Sequence, residues 1–226
     1  MLLLAGRYPG HAVEAGLAGY GATPRLIQAV QPSPTNGSAD AKLRAAAEPF
    51  ETLTETAFTA SRAALGRTVT EAIIAARSVQ TLLPEQSVKR FGDEIEALKV
   101  AHRNDRRAAL ALYSIEVYRI LVTAVADGAK VPAAVSLLDY AAYRYRADLK
   151  SSPRRWVDMA DAAGFARQTW TALTPKVGSP ALEAKVSGAI TAMEQAAGRK
   201  DAAAAATAAQ NQLDLVDDLE KYFLSR

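Results

Sequence analysis

Apolar residues recur at helical spacing through most of the chain after residue 40. The clearest case is a heptad seam formed by Leu65, Val69, Ala72, Ala76, Val79 and Leu83. Steps of three and four residues place such side chains on one face of an α-helix. No alternation of apolar and polar residues typical of a strand accompanies it. The pattern predicts an all-α protein.

Turn and capping residues divide this helical pattern into about six to seven helices. In the first segment, at 41–83, Pro49 and Gly66 are the candidate positions for a start, kink or break. Several later segments follow a potential helix-starting residue: Asp105, Pro132, Ser152 with Pro153, Ser179 with Pro180, and Asp201. Short connections make sequential helices antiparallel. We therefore expect an antiparallel up-and-down bundle at 41–226, as a single domain.

Residues 1–40 have a different character, since they hold much of the glycine and proline of the chain and end in QPSPTNGSAD. This composition predicts a flexible or irregular N-terminal arm. Farther along, AHRND at 101–105 and AGRKD at 197–201 both lie between predicted helices. The similarity covers five residues of an alanine-rich chain, so it only suggests duplication of a helical hairpin.

The composition excludes several kinds of functional site. The 226 residues include no cysteine and two histidines, so disulfides, thiolate metal sites and a multi-histidine metal centre within one chain are excluded. No serine-hydrolase, zinc-protease or P-loop motif occurs, and the sequence implies no particular cofactor. A net charge of +3 is small for a nucleic-acid binder. These features favour a non-enzymatic protein and make nucleic acid an improbable partner.

The amino terminus and the longest apolar stretch bear on the compartment and on membrane insertion. The amino terminus, MLLLAG, is too short for the apolar core of a signal peptide, yet we favour an extracytoplasmic (periplasmic) bacterial location over a cytoplasmic one. The longest apolar stretch, 108–126, carries Glu116 and Arg119 near its centre. Charges there would be costly in lipid, so we expect a buried core helix and no transmembrane segment.

That core helix contains the first candidate site, made of Tyr113, Glu116 and Arg119. Glu116 and Arg119 have the i,i+3 spacing of an intrahelical ion pair. Alternatively Glu116, with Tyr113 nearby, is the polar anchor of an internal ligand pocket.

The second candidate lies on the helix predicted after SSP at 151–153, where Trp156 and Trp170 flank the small residues AAGFA at 162–166. Small side chains either allow a neighbouring helix to approach closely or leave a cavity walled by the tryptophans. Close packing is the commoner outcome, because protein interiors tolerate few voids.

The third candidate is the predicted start of that helix, KSSPRRW at 150–156. Free backbone N–H groups, the Ser152 hydroxyl, Arg154 and Arg155 together suit an anion. Solvated or internally paired arginines are the alternative.

The fourth candidate is the helix at about 133–150, where Tyr145 falls on the apolar stripe and Tyr140 and Tyr143 do not. Arg144 and Asp148 have the i,i+4 spacing of an ion pair, as Asp139 and Tyr143 do for a polar pair. The two remaining rings are either covered by a second layer, for which the N-terminal arm is a candidate, or exposed as a contact surface.

Three functions follow from these candidates. We favour a non-enzymatic helical-bundle binding protein for a small or anionic ligand or a protein partner, of unknown oligomeric state. The alternatives are a metal-binding bundle that uses carboxylate and tyrosine oxygens, such as those of Glu116, Asp139 and Tyr143, and a weak binder of nucleic acid or anionic membranes.

Overall fold

The computed structural model describes residues 36–126 and 128–226, and in these ranges all regular structure is helical. The all-α prediction is confirmed, and the eight α-helices slightly exceed the predicted number. The helices are α1 (Asn36–Thr56), α2 (Arg62–Ser78), α3 (Glu85–Arg103), α4 (Arg107–Thr123), α5 (Ala133–Lys150), α6 (Trp156–Leu173), α7 (Pro180–Arg199) and α8 (Ala202–Leu224). Most of the predicted arm, 1–35, lies outside the described residues.

Several predicted helix starts are confirmed. Ser179 caps α7, since its Oγ accepts a hydrogen bond from the backbone N–H of Leu182 at 3.4 Å. Asp201 caps α8 and accepts from the N–H groups of Ala203 and Ala204 at 3.1 and 3.0 Å. Pro132 directly precedes α5. These are local signals. The side chains of Ser179 and Asp201 satisfy orphan donors of the first helical turn, whereas Pro132 makes no side-chain cap.

Neither Pro49 nor Gly66 starts or breaks a helix, so two of the three possibilities predicted for these positions are wrong. Pro49 lies inside α1, which continues to Thr56, and the chain turns at 57–61 instead. Gly66 lies inside α2, where an added Cβ would be 3.4 Å from the His102 imidazole of α3. That distance is an ordinary van der Waals contact, so Gly66 lies against His102 and does not end the helix.

Two predicted caps are also wrong. Asp105 adopts a left-handed φ of 50°, and α4 begins only at Arg107. Ser152 and Pro153 precede α6 without starting it, since Arg155 occupies the N-cap position of that helix. The Arg155 backbone N–H donates a hydrogen bond to the Asp148 carbonyl of α5 at 3.2 Å. This contact with α5 outweighs the local tendency of Ser152 and Pro153 to start a helix.

Contacts between helices fall into two sets. Within α1–α4, α1 contacts α2 and α4, and α3 contacts the same two helices. Within α5–α8, α5 contacts α6 and α8, and α7 contacts the same two helices. The sets meet mainly where α4 packs on α5, with a smaller contact between α1 and α5. Among the described helices, none combines the length and apolarity needed to cross a bilayer.

The turns that precede α4 and α8 have the same geometry. Asp105 and Lys200 both have a left-handed φ, of 50° and 55°. The next residue in each case donates its backbone N–H five residues back, from Arg106 to Ala101 at 2.9 Å and from Asp201 to Ala196 at 3.0 Å. This equivalence pairs position 105 with 200, whereas the sequence similarity pairs 105 with 201. The turns agree with a duplicated hairpin only after a one-residue shift.

One core residue of α8 is expected to reduce stability. Gln212 is fully buried, and neither polar atom of its amide has a hydrogen-bond partner among the described residues. A buried unsatisfied polar group costs about 1–3 kcal/mol. We expect Gln212→Met, which keeps the chain length, to raise the free energy of unfolding in urea by about that amount. The control Gln210→Met, on the exposed side of α8, should change it by less than about 0.5 kcal/mol. A less stable Gln212→Met protein would contradict the assignment.

Candidate functional site

A buried carboxylate on α4 forms the centre of the candidate site. Glu116 is 8% exposed, and both of its oxygens accept two hydrogen bonds. Oε1 accepts from Tyr140 Oη at 2.7 Å and from Arg144 Nη1 at 2.6 Å. Oε2 accepts from Arg90 Nη2 at 2.9 Å and from Arg119 Nε at 3.0 Å. Four donors thus use the whole acceptor capacity of this carboxylate.

Electrostatics keep Glu116 ionised. Burial by itself would raise the pKa of Glu116, but Arg119, Arg144, Tyr140 and Arg90 together hold the pKa below its usual value. The neighbouring carboxyl of Glu94 behaves differently. Burial, together with the charge of Glu116, raises the pKa of Glu94 to about 7, although Arg90 opposes the shift.

The ion pairs continue from α5 into α6. Arg144 Nε donates to Asp148 Oδ2 at 3.0 Å, and Asp148 is fully buried. Arg155 lies 3.4 Å from the other Asp148 oxygen and donates to Asp158 at 2.8 Å. The following residues are called the Glu116 network below: Arg90, Glu116, Arg119, Tyr140, Arg144, Asp148, Arg155 and Asp158. The network joins α3, α4, α5 and α6. It reaches the surface at Arg90 and Arg155, whose side chains are partly exposed.

Five of the predicted site residues therefore come together in this network: Glu116, Arg119, Tyr140, Arg144 and Arg155. The predicted pairs Glu116–Arg119 and Arg144–Asp148 are confirmed, with N–O distances of 2.9 and 3.0 Å. Sequence reasoning missed Arg90 and Asp158. Arg90 lies on α3, away from the Glu116 it contacts on α4, so no short sequence spacing marks that pair. Asp158 does have i,i+3 spacing to Arg155, at 2.8 Å, and this spacing was overlooked.

Both tyrosines of α5 that point away from its apolar stripe are covered. Tyr140 is 4% exposed, and its ring packs edge-on against Phe165 of α6 at 5.3 Å. Tyr143 is 5% exposed and faces α1, where its hydroxyl lies 3.1 Å from Glu51 and 2.9 Å from Glu55. Helices form the second layer over these rings. The predicted pair of Asp139 with Tyr143 is replaced by a hydrogen bond from Tyr118 to Asp139 at 3.3 Å.

The other predicted site residues are not members of the network. Trp170 is buried and donates from Nε1 to Ser187 Oγ at 2.9 Å, while Trp156 is half-buried in a different part of the core. Tyr113 is half-buried on α4. Ser152 and Arg154 are exposed on the turn before α6.

The small residues between the tryptophans pack against neighbouring helices. Ala162 and Ala163 are buried in one apolar cluster with Met193 and Ala197 of α7. Ala166 is fully buried in the adjoining cluster that contains Trp170. This arrangement favours the close-packing interpretation of the AAGFA stretch.

In the described part of the chain, no group of three or more histidine, cysteine, aspartate or glutamate side chains is placed to hold a metal ion. Comparison of the chain with protein-family models, with curated proteins and with solved structures gives no match. The functional argument therefore depends on the geometry of the site alone.

Proposed function

We propose that this is a non-enzymatic binding protein, in which a helical scaffold presents the turn between α5 and α6 to an anionic group of a small ligand or of a protein partner. One observation carries the proposal. At this turn two successive arginines have opposite environments: Arg155 is paired with Asp148 and Asp158, whereas Arg154 is exposed and forms no ion pair with another described residue. A guanidinium in water that is held near a fixed turn suits a carboxylate or phosphate.

The state of Glu116 supports a binding role over catalysis. A general base or a metal ligand needs an oxygen lone pair that can reach a substrate or ion. Four donors from Tyr140 and three arginines occupy the Glu116 oxygens, and the carboxylate is buried. The network therefore acts as a structural joint between helices in this proposal, and binding takes place at its surface end.

Apolar groups beside Arg154 extend the proposed contact surface. Val157, in the first turn of α6, is 75% exposed, and Trp156 before it is half-buried. Arginine and tryptophan are common among the residues that dominate protein interfaces. The pairing of Arg155 with two aspartates holds this turn in place, which reduces the ordering cost of binding.

We further infer that the helices run up and down as two consecutive four-helix bundles, α1–α4 and α5–α8. The contact cycle within each set and the short connections between successive helices support this arrangement. The Glu116 network crosses from the first set to the second, so it would fix the position of α6 and of the turn before it.

The binding role predicts a measurable effect of one exposed charge. Inorganic phosphate is titrated at constant ionic strength, and the backbone amide signals of residues 151–157 are followed by NMR. We expect saturable shifts in these signals, and Arg154→Gln should weaken phosphate binding by about tenfold or more, because a charge-assisted hydrogen bond is lost. The matched control is Arg67→Gln, which removes an exposed arginine of α2 and should leave the affinity unchanged. Equal affinity in the wild type and Arg154→Gln would refute the proposed site.

A further inference from the structure

A second polar cluster lies where α1, α4, α5 and α8 meet, away from the Glu116 network. It contains more acidic than basic side chains. Its core members are Glu51 and Glu55 of α1, Tyr118 of α4, Asp139 and Tyr143 of α5, and Glu220 of α8. We call this set the acidic junction. It shares no residue with the turn at 151–155, so the inference below is independent of the proposed function.

The Tyr143 hydroxyl at the centre of the acidic junction faces two carboxylate groups but can donate a hydrogen bond to only one of them. Tyr143 Oη lies 3.1 Å from a Glu51 oxygen and 2.9 Å from a Glu55 oxygen. A phenol has one proton and can donate it to one of the two carboxylates. The second contact becomes a full hydrogen bond only when the other glutamate carries a proton and donates it to the phenol oxygen. The geometry therefore accommodates one proton more than the fully ionised junction holds.

Asp139 has a similar shortage of partners. It is 9% exposed and accepts a hydrogen bond from Tyr118 Oη at 3.3 Å, but no ion pair to it occurs among the described residues. An ionised carboxylate buried without a cation is costly, so the protonated form is favoured. This contrasts with Glu116, whose carboxylate lies among three arginines.

Charged groups that face the acidic junction from the packed helices give it little compensation. From α1 and α8 come the further acidic residues Glu48 and Asp217. Arg44 of α1 acts on Glu220, but its guanidinium donates to Ser136 Oγ and to the Val131 carbonyl. Arg146 of α5 lies over the Tyr143 ring at 5.6 Å, beside the ring face rather than the hydroxyl.

We propose that the acidic junction is a proton-dependent clamp, which holds α1 and α5 together when its carboxyl groups share protons and weakens as they ionise. In the protonated junction the phenol of Tyr143 bridges one carboxylic acid and one carboxylate. Loss of that proton leaves two carboxylates, i and i+4 on α1, directed at one hydroxyl beside the buried Asp139. Repulsion between these charges then opposes the packing of α1 on α5.

The directions of the pKa shifts agree with a clamp that weakens as the pH rises. Burial raises the pKa of Glu51 above 4.5; the hydrogen bond from Tyr143 opposes this shift, and the charges of Glu55 and Glu220 add to it. Burial and the charges of Glu51 and Glu220 raise the pKa of Asp139 well above 3.8. Burial and Asp217 likewise raise the pKa of Glu220. A raised pKa means that the folded protein binds more protons than the unfolded chain. The resulting stability is complete below the unfolded pKa, at about pH 4, and is lost as the pH rises through the folded pKa.

The test is urea denaturation of the full chain at constant ionic strength between pH 5 and 8. We expect the urea midpoint of the wild-type protein to fall as the pH rises. In Glu51→Gln/Asp139→Asn, whose amides mimic protonated carboxyls, the midpoint should fall less and be higher than that of the wild type at pH 8. Each unit of raised pKa that is removed corresponds to about a tenfold change in the unfolding equilibrium constant. The control Asp93→Asn, at an exposed ion pair, should keep the wild-type pH dependence.

Glu94 has a pKa of about 7 and contributes to the pH dependence with the same sign, so the comparison is repeated in a Glu94→Gln background. A midpoint that rises with pH, or an equal fall in the wild type and the double variant, would overturn the clamp. If the double variant does not fold, NMR titration of the carboxyl carbons in the wild type decides. Midpoints of Glu51 and Asp139 above their ordinary values support the clamp, and midpoints at or below about 4 refute it.

Discussion

Replacing Glu116 with alanine is expected to lower the free energy of unfolding by about 3–5 kcal/mol. The reason is the set of arginines that the substitution leaves behind. Arg119 and Arg144 are 6% and 4% exposed, so water cannot replace the lost carboxylate without disturbing the packing. Urea denaturation monitored by circular dichroism measures the loss.

A surface acid provides the matched control for this experiment. Asp93 pairs with Lys89 at 2.7 Å, and both side chains are exposed. Exposed i,i+4 pairs contribute about 0.3–0.5 kcal/mol, so Asp93→Ala should have a small effect. A loss below about 1 kcal/mol for Glu116→Ala would mean that the arginines find other partners, and the joint would then be weaker than its geometry indicates.

Phe50→Ala is expected to destabilise the protein by about 3–5 kcal/mol. Phe50 is fully buried in the cluster that joins α1 to α4, next to the proline inside α1. Truncation removes a large apolar side chain and leaves a cavity in a core that relaxes only in part. Thermal and urea denaturation should both show the loss.

The control for Phe50 is Leu224→Ala at the end of α8. Leu224 is 57% exposed, and its truncation should cost less than about 0.5 kcal/mol. If Phe50→Ala were equally mild, the part of α1 that follows Pro49 would not belong to the core. A break of the helix at Pro49, one of the possibilities that the sequence offers there, would account for such a result.

Much of the core follows from periodicity. All six members of the predicted heptad seam, from Leu65 to Leu83, are buried. Capping residues with a local effect, such as Ser179 and Asp201, are also found in their predicted roles. These features depend on residues a few positions apart, so the sequence contains the information needed to predict them.

Features determined by distant residues could not be predicted. Pro49 is tolerated inside α1, where Phe50 and Leu53 after it are fully buried, and packing outweighs the lost backbone hydrogen bond. The start of α6 moves to Trp156 because Arg155 contacts Asp148 on the preceding helix. Local propensity gives way to tertiary contacts at both places.

The candidate site likewise contains contacts that the sequence predicts and contacts that it does not. Spacing alone predicted the pairs Glu116–Arg119 and Arg144–Asp148, because each lies on one helix face. The contact of Arg90 with Glu116 joins α3 to α4, and those of Tyr143 with Glu51 and Glu55 join α5 to α1. Pairs between helices depend on which helix faces meet, and no short spacing in the sequence predicts which faces these are.

A double-mutant cycle on Glu116 and Arg144 tests most directly whether this pair is a structural joint. The free energy of unfolding is measured for the wild type, Glu116→Ala, Arg144→Ala and the double variant. We expect the double variant to lose less than the sum of the single losses by about 1–3 kcal/mol, since each single change leaves a buried charge that the double change removes. Additive losses, within about 0.5 kcal/mol, would contradict a structural joint at the 2.6 Å contact between Arg144 and Glu116.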